Sequence, residues 1–175
     1  MRACAARALD GRVVLVVTNN AGSGVLARAE AFGVPTRVVG GAGLTEPERD
    51  ARMLGALESA GAEAVLLLGY LRRLGPGVLA RYRGRIANTH PSLLPRHGGQ
   101  GMYGDRVHAA VLAAGEPVSG VTLHEVDDDY DSGRIIAQRP LPVLADDDVT
   151  SLGARSRALE HAMLVEEIPG WLRRE

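Results

Sequence analysis

Short apolar runs alternate with helix-like segments along most of this chain, and this alternation restricts the folds that it can adopt. The runs at residues 12–18 and 64–68 are uninterrupted and rich in Val and Leu. Such runs are typical of strands that are buried on both faces of a sheet. Two further short strands are predicted at residues 36–39 and 85–88. Strands separated by helices predict a layered α/β fold.

Helical segments are predicted between these strands. Thr45 followed by Glu48 is the pattern of a helix start in which each side chain caps the backbone of the other residue, and this helix runs to about Ser59. The other predicted helices cover residues 24–32, 76–82, 107–114 and 151–167.

The last two predicted strands, residues 118–126 and 134–140, flank an acidic turn and favour an antiparallel hairpin. Residues 91–103 between the two halves are rich in Pro and Gly and predict a long loop. The whole pattern predicts a three-layer α/β fold with a mostly parallel sheet and an antiparallel C-terminal hairpin. Ligands of such sheets bind at the carboxyl ends of the strands.

Composition is that of one globular domain of 175 residues, with 46% hydrophobic and 23% charged residues. The net charge of −1 provides no basic field for nucleic acid or an anionic membrane. The apolar runs are too short to span a bilayer. Cys4, in a predicted exposed helical start, is the only cysteine, so no internal disulfide can form. We therefore expect a cytoplasmic protein.

Asn88 and His90 stand at the carboxyl end of the fourth predicted strand. Because they are two residues apart in extended chain, their side chains leave on the same face. An amide donor beside an imidazole can bind a carbonyl oxygen and move a proton. By itself the pattern leaves two interpretations open, since a histidine at a strand end is more often a hydrogen-bonded structural residue than a catalyst.

The acidic turn contains four aspartates within residues 127–131. It begins like a calcium-binding EF-hand loop, but Ser132 and Gln138 occupy the positions that require Gly and Glu. The alternatives are a solvated hairpin turn and an aspartate that acts with a distant partner. His90 is the candidate partner, because a carboxylate near an imidazolium stabilises its charge.

Two other patterns carry less weight. Residues 22–27 match a G-x-G-x-x-A dinucleotide fingerprint, but the next strand ends in glycines rather than in Asp or Glu, so a tight turn is preferred. The other histidines do not have a metal-ligand spacing; they are His97, His108, His124 and His161.

Taken in order, four segments closely resemble the phosphoribosylglycinamide formyltransferases, a family of folate-dependent formyltransferases. The segments are Asn-Thr-His-Pro-Ser-Leu-Leu-Pro at 88–95, Gly-Met-Tyr-Gly at 101–104, Gly-Val-Thr-Leu-His at 120–124 and Asp-Ser-Gly-Arg-Ile-Ile-Ala-Gln at 131–138. Leu-Glu-His at 159–161 matches as well. The resemblance implies a Rossmann-like formyltransferase fold over essentially the whole chain.

The resemblance also implies a reaction and its participants. The amino group of glycinamide ribonucleotide would attack the formyl carbon of 10-formyltetrahydrofolate in purine biosynthesis, without a metal. Asn88 would donate to the formyl oxygen, His90 would stabilise the oxyanion and move a proton, and Asp131 would keep His90 charged. Folate contacts are implied for Leu71, Arg72, Arg73, Leu74, Asn88, Val126 and Asp127, and nucleotide contacts for Pro91 and Glu160.

The chain departs from the family pattern at two places. We expect a single formyltransferase domain, residues 1–175, that lacks the first strand and the phosphate-binding loop, because Met1 aligns inside the following helix. Glu46 stands where the family carries a folate-contacting arginine, and Arg49 or Arg52 would have to substitute.

Three hypotheses remain at this point. The first is an active glycinamide ribonucleotide formyltransferase, as a monomer or homodimer. The second is a related methionyl-tRNA formyltransferase or formyltetrahydrofolate hydrolase. The third is an inactive remnant that binds folate.

Overall fold

The computed structural model describes residues 11–40 and 43–173. These residues form two compact units. The first extends to Val65 and includes Arg72–Arg83, and the second consists of Leu66–Leu71 and the chain from Gly84 onward. Cys4 and the helical start predicted around it lie outside the described residues. The predicted lack of the first strand and of the phosphate-binding loop is not tested by the described residues. The single-domain prediction stays a prediction.

Among the described residues of the first unit, two short strands alternate with helices, and a further helix lies within Arg72–Arg83. Strands β1 and β2 pair in parallel, with Val16 opposite Thr36. The elements are β1 (Val16–Thr18), α1 (Val25–Glu30), β2 (Thr36–Val38), α2 (Glu46–Ser59) and α3 (Pro76–Arg81). The reciprocal cap predicted for α2 is confirmed, because the Thr45 side chain accepts from the Glu48 backbone and the Glu48 side chain accepts from the Thr45 backbone.

A carboxylate from α2 caps the start of α3. The backbone N–H groups of Gly77 and Val78 donate to the two carboxylate oxygens of Asp50 at 2.7 and 3.1 Å. Helix α3 has no capping side chain of its own at Gly75. Asp50 therefore satisfies donors that a helix start otherwise leaves unpaired.

In the second unit, four strands form one sheet in the order β3-β4-β5-β6. The elements are β3 (Val65–Leu67, with Val65 in the first unit), β4 (Ile86–His90), α4 (Asp105–Ala113), β5 (Val118–Glu125), β6 (Ile135–Pro142) and α5 (Val149–Leu172). The predicted antiparallel hairpin of β5 and β6 is confirmed. Antiparallel pairing extends one strand further than the sequence indicated, because β4 also runs antiparallel to β5.

Strand β5 is buried on both faces, and its two faces differ in chemistry. Val121 and Leu123 are fully buried and point to one side, while the equally buried Thr122 and His124 point to the other. Helix α5 packs against β5, β6 and α4. Thr122 instead bonds the loop that follows β4, donating to the carbonyl of Ser92 and accepting from the N–H of Leu94. The polar face of β5 thus anchors the loop next to the candidate site.

Helix α5 begins at an Asp148–Ser151 capping box, earlier than predicted, and continues past residue 167 to Leu172. In the part of the chain that the structure describes, no helix has the length and apolar character needed to cross a membrane.

Candidate active site

Asn88 and His90 leave β4 on the face that carries the polar residues of β5. Asn88 lies opposite His124 in the ladder, and His90 lies opposite Thr122. His90 is only 3% exposed, although it ends its strand. Its imidazole is therefore held among fixed partners rather than in open solvent.

Asp131 reaches this face from the turn between β5 and β6. Its Oδ2 atom lies 3.4 Å from Nδ1 of His90, an ion-pair distance, and accepts a hydrogen bond from the N–H of Gly99 at 2.8 Å. Asp131 has a φ of 54° and Gly99 a φ of 94°. Asp131 of the acidic turn thus contacts both the strand-end His90 and Gly99 of the glycine-rich loop. This places Asp131 beside His90, the partner suggested by the sequence.

The second ring nitrogen of His90 is also engaged. Nε2 donates to the backbone carbonyl of His97 at 2.8 Å. Both ring nitrogens therefore face oxygen acceptors. A singly protonated ring donates to only one of them, whereas an imidazolium donates to both.

His124 is a member of the site that sequence reasoning missed. It is 2% exposed, and its Nε2 lies 3.1 Å from Nδ2 of Asn88 and 3.5 Å from Oδ1 of Asp131. Burial lowers the pKa of His124, opposed by its bond to the Glu125 backbone and by the charge of Asp131. The available signal was the Val-Thr-Leu-His alternation of β5, which places His124 beside Asn88 once the two strands are paired.

The hydrogen bonds of His124 define its tautomer. Nδ1 lies 2.8 Å from the carbonyl of Glu125, which can only accept, so Nδ1 carries the proton. In the neutral ring Nε2 is then an acceptor for the Asn88 amide. One N–H of Asn88 is used in this bond, and the other remains to donate to a ligand. Asn88, His90 and Asp131 thus combine an oriented amide donor, a proton-carrying imidazole and a carboxylate.

Asp127 forms hydrogen bonds within the acidic turn, and Val126 bonds strand β4. Oδ1 of Asp127 accepts from the N–H of Asp129 at 3.1 Å and from the hydroxyl of Ser132 at 2.8 Å. The N–H of Val126 donates to the carbonyl of Ile86 at 2.9 Å. Across residues 11–40 and 43–173, no three His, Cys, Asp or Glu side chains are grouped as metal ligands.

The remaining candidate binding residues lie in three places. Leu71, Arg72 and Arg73 are exposed and Leu74 is buried; Leu71 belongs to the second unit and the other three to the first. Pro91 is half-buried directly after β4. Glu160, on α5, accepts a hydrogen bond from the hydroxyl of Thr89 at 2.8 Å.

Glu46 stands where the family pattern has a folate-contacting arginine, and two arginines lie close to it in the sequence. Arg49 donates to the carbonyl of Leu44 at 3.2 Å, and Arg52 is exposed.

An α/β fold whose strand end presents an amide, an imidazole and a carboxylate is suited to acyl-group transfer. The family model described as formyl transferase matches residues 1–168. The chain belongs to this family.

Its relatives include phosphoribosylglycinamide formyltransferases. The chain is 38% identical over 171 residues to the chloroplastic enzyme of Arabidopsis thaliana, covering 94% of this chain and 57% of that protein. It is 32% identical over 162 residues to the enzyme of Escherichia coli, covering 92% and 74%. The crystal structure of the Bacillus halodurans enzyme superposes with a TM-score of 0.91 at 29% identity, covering 99% and 87%. The chain thus spans little more than half of the Arabidopsis relative.

Proposed function

We propose that this chain transfers the formyl group of 10-formyltetrahydrofolate to the amino group of glycinamide ribonucleotide, a step of purine biosynthesis. The observation that carries the proposal is the convergence of Asn88, His90 and Asp131 at one strand end. Membership of the formyl transferase family and the names of the relatives support it.

Each of the three side chains has a role in the proposed reaction. The N–H of Asn88 that is not bonded to His124 donates to the formyl oxygen, where negative charge develops as the amine attacks. His90 stabilises that oxygen and carries a proton from the amine toward the leaving nitrogen. Asp131 supplies the negative charge that favours the imidazolium. Since both nitrogens of His90 are engaged, the ring has to exchange one partner before it reaches the substrate.

The hydrogen-bonding groups of Asn88 and His90 fit the formyl group of 10-formyltetrahydrofolate bound next to β4. An oriented amide and an imidazole recognise a carbonyl oxygen without a metal ion. The folate contacts proposed for the backbone of Leu71, Arg72, Arg73 and Leu74 and for Val126 and Asp127 rest on the resemblance alone, as do the nucleotide contacts of Pro91 and Glu160.

The alternatives are not favoured. The relatives described above are named for formyl transfer to the phosphoribosylglycinamide, rather than for hydrolysis of the folate or for transfer to tRNA. The absence of nucleic-acid and membrane partners, a state of monomer or homodimer, and a cytoplasmic location stay predictions. The Arabidopsis relative is designated chloroplastic, so relatives do not share one compartment.

The test is to incubate the purified chain with 10-formyltetrahydrofolate and glycinamide ribonucleotide and to quantify the formylated nucleotide and free formate separately. The proposal predicts nucleotide-dependent formation of the formylated product. Formate released at the same rate without nucleotide would indicate a hydrolase instead. Binding of the folate without either product would indicate the inactive remnant.

A further inference from the structure

Strand β4 separates its side chains into two sets. Asn88 and His90 point to the face shared with His124, and Thr89, between them, points to the opposite face. Thr89 lies opposite Leu123, which is fully buried on the side that α5 covers. The proposed reacting side chains, Asn88 and His90, thus lie on one face of β4, and Thr89 lies on the other.

On this second face, Thr89 holds a carboxylate. Its hydroxyl donates to Oε1 of Glu160 at 2.8 Å, and both side chains are half-buried. Within residues 11–40 and 43–173, Oε2 of Glu160 has no hydrogen-bond partner. A hydrogen bond to a charged acceptor is among the stronger kinds, so it limits the orientations of the carboxylate while Oε2 remains available.

We propose that Thr89 is a positioning residue for the nucleotide substrate and that the Thr89–Glu160 pair discriminates sugars by their hydroxyl groups. The inference rests on the proposed function, in which Glu160 meets the ribose. Glu160 accepts from the sugar through Oε2, and Thr89 keeps the carboxylate in the orientation that this contact needs. Thr89 does not touch the reacting atoms.

Two physical consequences follow. Fixing a glutamate side chain before the ligand arrives reduces the rotamer entropy that binding would otherwise cost. A half-buried carboxylate oxygen that pairs with a sugar hydroxyl is left without a partner by a deoxy sugar, so the site rejects that analogue. Both effects act on nucleotide affinity and leave the reacting groups on the other face of β4 unchanged.

The decisive variant is Thr89→Val, which keeps the shape of the side chain and removes the hydroxyl. We expect the KM and the calorimetric Kd for glycinamide ribonucleotide to rise by about three- to tenfold, the loss of one hydrogen bond. The kcat and the KM for 10-formyltetrahydrofolate should not change. The preference for the ribonucleotide over its 2-deoxy analogue should decrease. Thr89→Ser should restore the wild-type values, and Thr150→Val, on the exposed start of α5, is the matched control.

The outcomes separate this inference from the proposed function. If wild type forms the formylated product and Thr89→Val has the affinity and sugar preference of wild type, the inference is wrong and the proposed function stands. If Thr89→Val lowers kcat and folate affinity as well, Thr89 has a structural role and the inference is overturned. If wild type gives no product but binds the ribonucleotide in a Thr89-dependent way, the positioning role stands without the activity. A wild-type chain that does not bind the nucleotide contradicts both.

Discussion

Nδ1 of His90 and Oδ2 of Asp131 lie 3.4 Å apart, and the same carboxylate oxygen accepts the backbone N–H of Gly99. The other oxygen of Asp131 lies 3.5 Å from Nε2 of His124. One carboxylate therefore faces two histidines and is held by a loop that comes from a different part of the sequence. We therefore expect a substitution at His90 or Asp131 to change the charge and the proton transfer of the site more than the packing of the core.

Replacement of His90 tests its proposed role as the proton carrier. His90→Asn should reduce formyl transfer by about 10²–10⁴-fold, the usual contribution of a general acid or base. The substitution also removes the hydrogen bond to the carbonyl of His97, so the fold has to be checked beside the turnover. Circular dichroism and the thermal midpoint provide that check. The exposed His161→Asn is the control. A folded His90→Asn protein with near-normal turnover would remove His90 from the mechanism.

Replacement of Asp131 tests the charge rather than the shape. Asp131→Asn can still accept from Gly99 but carries no negative charge. Because Asp131 raises the pKa of His124, its removal should lower that pKa further, which an NMR titration of the histidine rings measures. Formyl transfer should also decrease in this variant, because the negative charge that faces His90 is removed. Unchanged turnover together with an unchanged His124 titration would assign Asp131 to an ordinary acidic turn.

Burial lowers the pKa of two histidines, His124 and His108, and this predicts how stability depends on pH. Below pH 6.5, near the ordinary pKa of histidine, the unfolded chain takes up protons that the folded protein does not. The free energy of unfolding should therefore be greatest above pH 6.5 and fall as the pH decreases below it.

Urea unfolding at several pH values between about 7.5 and 5.5 measures the slope of the unfolding free energy against pH. His108→Gln should reduce the slope, and the exposed His161→Gln should not. If His108→Gln changes the stability at every pH by the same amount, the pKa of His108 does not control the pH dependence.

The Asp50 cap predicts a stability effect away from the site. Asp50→Ala leaves the N–H groups of Gly77 and Val78 without their acceptor and should cost about 1–3 kcal/mol of unfolding free energy. Glu58→Ala, on the same helix, removes only a solvent-exposed ion pair with Arg81 and should cost about 0–1 kcal/mol. Equal effects in chemical denaturation would show that the cap contributes no more than a surface pair.

Gly133 should tolerate no side chain. A Cβ at this position would overlap the backbone carbonyl of Glu125, the group that accepts from Nδ1 of His124. Gly133→Ala should therefore lower both the thermal midpoint and kcat, because the turn that carries Asp131 has to shift. Gly170→Ala, on α5 with open space at its Cβ, is the matched control and should be neutral or slightly stabilising. Full activity in Gly133→Ala would contradict the close packing of this turn.

Much of the local structure could be predicted because its causes are local. The reciprocal cap of Thr45 and Glu48 depends on residues three apart, and the shared face of Asn88 and His90 depends only on the pleat of a strand. The apolar runs at residues 12–18 and 64–68 also contain strands, but each strand is only three residues long. The expected burial on both faces is wrong for the second run, because β3 is at the edge of its sheet as described and Leu66 and Leu68 are exposed. The ends of α5 were harder to place, since its start uses Asp148 with Ser151 and its last turns extend beyond residue 167.

What the sequence determined by itself was the order of strands and helices, the residue types at the strand end and the family motifs that contain them. The tertiary structure decided which of these residues meet. The antiparallel pairing of β4 with β5 sets Asn88 against His124, the turn after β5 returns Asp131 to His90, and α5 brings Glu160 to Thr89. The reason is that side-chain periodicity assigns a residue to a face of its own element, whereas the neighbour across that face depends on strand order, direction and register, which arise only when the whole chain packs.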